Sequence, residues 1–70
     1  MVVKNRLKDI LVERGLKQNW LADKVGITKT TLGNIVNNRY STSLDVAMKI
    51  AKTLELKIED IFRLEEDEND

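Results

Sequence analysis

The sequence has no cysteine, no histidine and no proline, and only three of its 70 residues are aromatic. The lack of cysteine excludes disulfides and thiolate zinc sites. The lack of histidine removes the usual general base at neutral pH and the commonest transition-metal ligand. No apolar run approaches the roughly 20 residues that span a bilayer, and no signal peptide is evident. We therefore expect a cytoplasmic protein that is not an enzyme and has no cofactor or metal.

The net charge is zero, but the charges are segregated along the chain. Residues 1–54 carry ten basic and four acidic side chains, a net charge of +6. Residues 55–70 carry two basic and eight acidic side chains, a net charge of −6. A basic body is suited to a polyanionic partner, and an acidic terminus is commonly solvated.

The spacing of apolar residues predicts five helices. The first runs from about Lys4 to Arg14, and Gly15 and Gly26 end the first two helices in the left-handed conformation. Thr28 and Ser43 are suited to cap the third and fourth helices, and Asn37-Asn38 ends the third. The predicted core positions are Leu7, Ile10, Leu11, Leu21, Ala22, Val25, Leu32, Ile35, Val36, Ala47, Ile50, Ala51 and Leu54. A short fifth helix holds Ile58, Ile61 and Phe62.

Two short strand-like segments lie at opposite ends of the chain. Val2-Val3 and Phe62-Arg63-Leu64 could pair as a ribbon, or both could be frayed ends. We expect one domain over residues 1–64 and a disordered acidic tail over residues 65–70, because a run of charges without apolar residues cannot form a core.

Residues 18–37 form the most informative segment, read as two helices joined by a tight turn. When the apolar residues of the third helix face inward, its opposite face carries Lys29, Thr30, Gly33, Asn34 and Asn37. Thr and Asn are poor helix formers, so an ordinary solvated face would favour other residues. A face without acidic residues is suited to approach phosphates and base edges.

The segment Gln18-Asn-Trp-Leu-Ala-Asp-Lys-Val-Gly-Ile-Thr-Lys-Thr-Thr-Leu resembles the Cro and lambda-repressor-like (Xre-type) helix-turn-helix family. The resemblance extends from Lys4 to Phe62 and includes Gly15, Arg39-Tyr40 and Ser43-Leu44. It implies an all-α, five-helix lambda-repressor-like DNA-binding domain, with or without a short two-stranded β-ribbon joining the termini. Some compact members of the family are homodimers with such a ribbon, which favours pairing of the two ends.

The resemblance also implies roles for individual residues. It implies base reading by Lys29, Thr30 and Asn34, and contacts to DNA phosphates by Lys17, Gln18, Thr28, Asn37, Arg39 and Tyr40. Double-stranded DNA is then the partner, bound through a recognition helix at residues 28–37. We expect a repressor that binds a palindromic operator as a homodimer, with Ile58, Ile61, Phe62 and Leu64 at the dimer interface.

Several positions depart from the family pattern. Lys17 and Lys57 replace the usual capping Ser or Thr, and Thr30 replaces a frequent Gln, which shortens its reach. Many members pair an Arg on the first helix with a Glu on the third, whereas the matching positions here are Leu11 and Val36. Because both partners are apolar, we expect these two side chains to touch in the core.

Two other functions and the setting of Trp20 stay open at this stage. The same domain could serve as an antitoxin or anti-repressor that docks a partner protein, or as a helical interaction module that has lost DNA binding. Trp20 could be a half-buried cover for the edge of helix 1 or the ribbon, a dimer contact or a DNA contact.

Overall fold

The computed structural model describes residues 1–39 and 41–66 and contains, within them, five helices and one two-stranded ribbon. In chain order the elements are β1 (Val2–Asn5), α1 (Leu7–Arg14), α2 (Gln18–Val25), α3 (Lys29–Val36), α4 (Leu44–Leu54), α5 (Ile58–Ile61) and β2 (Phe62–Glu65). This architecture confirms the predicted fold class.

The two ends of the chain are joined in an antiparallel ribbon. Val2 lies opposite Glu65, and Asn5 lies opposite Phe62. The pairing settles the choice between a ribbon and frayed ends. It also corrects the prediction for Glu65, which belongs to β2 rather than to a disordered tail, because cross-strand pairing extends to that residue. Residues 67–70 of the predicted tail lie outside the described residues.

The start of α1 was predicted too early. The helix begins at Leu7, because Lys4 and Asn5 belong to β1. The side-chain oxygen Oδ1 of Asn5 accepts a hydrogen bond from the Leu7 amide at 3.0 Å, which satisfies one of the donors left free at a helix start. The Arg6 amide donates to the Ile61 carbonyl at 3.0 Å and so ties this junction to α5.

One hydrophobic core joins all five helices to β2. Its members are Leu7, Ile10, Leu11, Leu21, Ala22, Val25, Leu32, Ile35, Val36, Ala47, Ile50, Ala51, Leu54, Ile61 and Phe62. All but Ile61 and Phe62 belong to the predicted stripes, and Phe62 lies in β2 and not on the fifth helix. Leu11 and Val36 are both buried in this cluster, which is compatible with the expected contact between their side chains, although the contact itself stays a prediction.

Three helices end on a residue in the left-handed conformation. Gly15 has φ 65° after α1 and Gly26 has φ 83° after α2, as predicted. Glu55 takes the same conformation after α4, with φ 57°. A β-carbon makes that conformation unfavourable for most residues, so Glu55 is a strained counterpart of the two glycines.

The helix N-termini differ in how they are capped. The Thr28 hydroxyl oxygen accepts from the Thr31 amide at 3.1 Å, which confirms its predicted role as a cap. Ser43 occupies the cap position of α4 but makes no capping hydrogen bond through its side chain. Its side chain instead hydrogen-bonds the Asp45 carboxylate, and this bond lowers the pKa of Asp45.

Candidate nucleic-acid interface

The helix-turn-helix is formed by α2, the turn at Gly26-Ile27 and α3. The Gly26 and Ile27 amides both donate to the Ala22 carbonyl, at 2.9 and 3.1 Å, and so close the end of α2. Leu32 and Ile35 hold α3 against the core at 0% and 2% exposure. Burial of this stripe leaves the opposite face of α3 on the surface.

That opposite face is polar and contains no acid. Lys29, Thr30 and Asn37 are exposed, whereas Gly33 and Asn34 are partly exposed. No acidic residue lies between Asp23 and Asp45 in the sequence, so the whole of α3 and its flanking turns lack negative side chains. The surface can therefore approach a polyanion without like-charge repulsion from its own residues.

Gln18, at the first position of α2, lies beside Gly33 of α3. A β-carbon built on Gly33 would be 3.4 Å from Nε2 of Gln18. The Gln18 amide is thus next to the exposed face of α3, and the N-terminus of α2, which presents backbone N–H groups, begins at the same place. Gly33 keeps this junction narrow because it has no side chain.

Lys17 and Thr28 precede the two helices. Lys17 is exposed and occupies the cap position of α2, where an ammonium group cannot accept the capping bond. Thr28 is exposed as well, but its hydroxyl also donates to Oγ1 of Thr31 at 2.8 Å. Both residues lie at helix starts, where a phosphate would meet free N–H groups. Their positions are therefore compatible with the predicted phosphate contacts, which stay predictions.

Asn34 and Arg39 form a pair. Nη1 of Arg39 donates to Oδ1 of Asn34 at 3.2 Å. The sequence had assigned these residues separate roles, one to bases and one to phosphate. The hydrogen bond couples them, because the guanidinium orients the amide that would face a base edge.

The side chain of Asn37 also bonds within α3. Its Nδ2 donates to the Gly33 carbonyl at 2.9 Å, so the Asn37 amide caps the last turn of the helix.

Sequence reasoning missed the role of Asn5 and understated that of Asn38. Nδ2 of Asn5 donates to the Ile35 carbonyl at 2.7 Å, and the Asn5 amide donates to Oδ1 of Asn38 at 2.8 Å. Asn38 is left-handed, with φ 58°, as expected for a residue that ends a helix. The pair fixes the end of α3 to the ribbon, and only the left-handed preference of Asn38 was a signal in the sequence.

The residues predicted for a dimer interface differ in exposure. Ile61 and Phe62 are buried in the core of the chain itself, Ile58 is partly buried, and Leu64 is 67% exposed. Ile61 and Phe62 therefore cannot contact a second copy directly, although they pack beneath the surface that would do so.

Trp20 is 38% exposed, in keeping with a half-buried side chain. Tyr40 lies outside the described residues.

Comparisons with known proteins agree with this geometry. A family model described as helix-turn-helix matches residues 7–61. An uncharacterized HTH-type transcriptional regulator of Methanocaldococcus jannaschii is 44% identical over 66 residues, which are 94% of this chain and 100% of that protein. YgzD of Bacillus subtilis, also named an uncharacterized HTH-type transcriptional regulator, is 38% identical over 93% of this chain and 98% of its own.

A solved structure shares the fold. The crystal structure of a candidate DNA-binding protein from Bacteroides fragilis has a TM-score of 0.79, with 28% identity over 87% of this chain and 98% of that one. Fold, surface and relatives together define a DNA-binding regulator of the helix-turn-helix class. Within that class, the chain belongs to the Xre-type helix-turn-helix family.

Proposed function

We propose that the protein is a sequence-specific repressor that binds a palindromic operator as a homodimer and inserts α3 into the major groove. The observation that carries the proposal is the acid-free polar face of α3, held outward by the buried stripe of Leu32, Ile35 and Val36. In proteins of this architecture the second helix reads base edges while the first crosses the backbone.

Base reading is assigned to Lys29, Thr30 and Asn34. A lysine can donate to O6 and N7 of guanine, and an asparagine can pair with N6 and N7 of adenine. Thr30 has a shorter reach and can offer its hydroxyl, or its methyl group to thymine. Oδ1 of Asn34 accepts a hydrogen bond from Arg39, so reading of adenine requires that Oδ1 also accept from adenine N6 or that Arg39 move to a phosphate.

Phosphate contacts are assigned to Lys17, Gln18, Thr28, Asn37, Arg39 and Tyr40. The first three lie at helix starts, where N–H groups and the helix dipole favour an anion. Each lysine or arginine that meets a phosphate also releases a condensed counterion, which makes binding depend on salt.

The dimer surface is assigned to the outer side of the ribbon and α5. A cavity of about 620 Å³ opens there, and its lining includes Val3, Leu44, Ile58 and Leu64. Leu44 and Leu64 are 70% and 67% exposed. A second copy related by a two-fold axis would cover these side chains. Binding to two half-sites one helical turn of DNA apart requires that the two copies of α3 in this dimer lie about 34 Å apart.

Selection of bound sites from a random DNA pool, followed by footprinting, tests the proposal. We expect an enriched site with two symmetric half-sites about 10 base pairs apart. Lys29→Ala and Asn34→Ala should each reduce discrimination against the wrong base by about 1–3 kcal/mol. Lys52→Ala, which removes an exposed lysine at the end of α4, is the matched control and should leave discrimination unchanged.

Protection without two-fold symmetry would contradict the dimer. Retention of full discrimination by the Lys29→Ala, Asn34→Ala double variant would contradict reading by α3. Failure of the parent protein to enrich any DNA site would favour an interaction module without DNA binding. Sedimentation of the parent protein and of Leu64→Glu provides the second arm, because a charge on the covered surface should dissociate the dimer.

An antitoxin is the second candidate function, and a specific similarity favours it. Antitoxin HipB of Escherichia coli O6:H1 is 39% identical over 54 residues, which are 77% of this chain but only 57% of HipB. The chain thus spans less than two thirds of that relative. Co-purification of a stable protein partner from the native host, together with operator binding, would support this function, and recovery of the protein alone would argue against it.

A further inference from the structure

A cleft on the edge of the ribbon is not explained by the proposed recognition by α3. It has a volume of about 410 Å³ and is lined by Met1, Val2, Val3, Lys4, Asn38, Arg39 and Ser41. Two cationic and two polar side chains contribute to this lining, and within residues 1–39 and 41–66 no acidic residue does. The cleft begins where α3 ends, so it continues the surface assigned to DNA.

The walls of the cleft are held together by the Asn5–Asn38 pair. The Asn5 amide donates to Oδ1 of Asn38 at 2.8 Å, and Nδ2 of Asn38 donates to the Asn5 carbonyl at 3.3 Å. Both backbone groups of Asn5 therefore turn away from β2. Because backbone direction alternates along a strand, the amide and carbonyl of Val3 also turn to this side. The Val3 amide is thus a further donor on the wall.

Lys4 is not explained by the stability of the ribbon. It lies directly opposite Arg63 in the register of the two strands. Like charges at directly opposed positions destabilise a β-ladder, and Arg63 has its own ion pair with Glu65. A cation at position 4 therefore suggests a partner outside the fold.

Arg39 connects the cleft to the base-reading surface. Its guanidinium carries five N–H donors, and the bond to Asn34 uses one of them. An anion in the cleft could accept from Arg39 while that residue still orients Asn34. A DNA phosphate has the required charge and acceptor oxygens, and it is the anion that a surface continuous with α3 would meet.

We propose that this cleft, formed by Lys4, Arg39, Ser41 and the Val3 amide, binds a DNA backbone phosphate. The site extends the DNA contact from α3 to the terminal ribbon, and the inference rests on the proposed recognition of DNA by α3. Lys4 supplies charge, whereas Arg39 links the bound phosphate to the orientation of Asn34.

The test compares parent protein, Lys4→Ala, Lys4→Arg and Lys8→Ala on the selected operator over a range of salt concentrations. Lys8 is an exposed lysine on α1 that does not line the cleft, and it is the matched control. Lys4→Ala should reduce the slope of log affinity against log salt by about 0.9, the value for one lost phosphate contact. Its preference for operator over other DNA should be unchanged, and Lys4→Arg should keep the parent slope.

Phosphate ethylation interference locates the contact. Ethylation of at least one phosphate should weaken binding of the parent protein but should not weaken binding of the Lys4→Ala variant. Equal slopes for parent and Lys4→Ala, or an equal loss for Lys8→Ala, would overturn the phosphate site while leaving reading by α3 intact. Loss of discrimination by Asn34→Ala in the same titrations tests base reading by α3 separately. A parent protein that binds no duplex DNA would refute both the phosphate site and base reading by α3.

Discussion

Asn5 and Asn38 exchange two hydrogen bonds across 33 positions of sequence, and through them the terminal ribbon holds the end of the candidate recognition helix. Asn5 is the one buried polar residue among the described positions, at 9% exposure. Its Oδ1 also accepts from the Leu7 amide, and its Nδ2 donates to the Ile35 carbonyl. A single side chain thus joins β1, α1 and α3.

Asn5→Ala should destabilise the protein markedly. The change leaves the Leu7 amide without its acceptor and removes one of two donors to the Ile35 carbonyl, which still accepts from the Asn38 amide at 3.0 Å. An unsatisfied buried group costs about 1–3 kcal/mol. We expect the free energy of unfolding, measured with urea, to fall by about 1–3 kcal/mol. Asn19→Ala, on the exposed face of α2, should change it by less than about 0.7 kcal/mol. Similar values for the two variants would show that the Asn5 network contributes little.

Gly33→Ala should separate stability from DNA binding. Alanine in a helix interior is favoured over glycine by about 1 kcal/mol, and the new β-carbon would meet Nε2 of Gln18 at 3.4 Å, which is tolerable. We therefore expect a higher midpoint of thermal unfolding together with weaker operator binding, because the methyl group occupies the surface assigned to DNA. A variant that is more stable and binds as tightly as the parent would show that Gly33 is not at the interface.

Glu55→Gly should stabilise the protein. Glu55 has φ 57° at the end of α4, a conformation that costs a residue with a β-carbon about 1–2 kcal/mol. Removing the β-carbon relieves this strain, and the greater entropy of the unfolded glycine offsets part of the gain. We expect a net increase of about 0.5–1 kcal/mol in the free energy of unfolding. Gly15→Ala is the reverse control and should destabilise the end of α1 by a similar amount.

Ser43→Ala should raise the pKa of Asp45. In the parent protein the hydrogen bond from Ser43 is the largest cause of the lowered pKa, with smaller contributions from the Val46 amide and from Lys49. A lowered pKa in the folded state means that this carboxylate stabilises the fold above its unfolded pKa, and that the contribution is lost as the pH falls through the folded pKa. Titration of the Asp45 carboxyl by NMR checks the direction, and an unchanged pKa in Ser43→Ala would exclude the hydroxyl as its cause.

The helices were predictable because their signals are local. A buried stripe at helical spacing, Thr28 as a cap and the left-handed residues Gly15, Gly26 and Asn38 each act within a few residues of chain. Glu55 escaped prediction since glutamate carries no left-handed preference, and its conformation follows from the packing of Leu56 after α4. Local signals also misplaced the start of α1, because Lys4 and Asn5 are compatible with a helix until β2 is present to pair with them.

By itself, the sequence determined the helix-turn-helix and the acid-free composition of α3, since periodicity and residue type decide which face is buried and which charges remain outside. The tertiary structure decided what depends on residues far apart in the chain. It placed Ile61 and Phe62 in the core, and it placed Lys4 and Arg39 in the lining of one cleft. These relationships arise when β1 pairs with β2 and Asn5 meets Asn38, and such long-range pairing leaves no periodic pattern in the sequence.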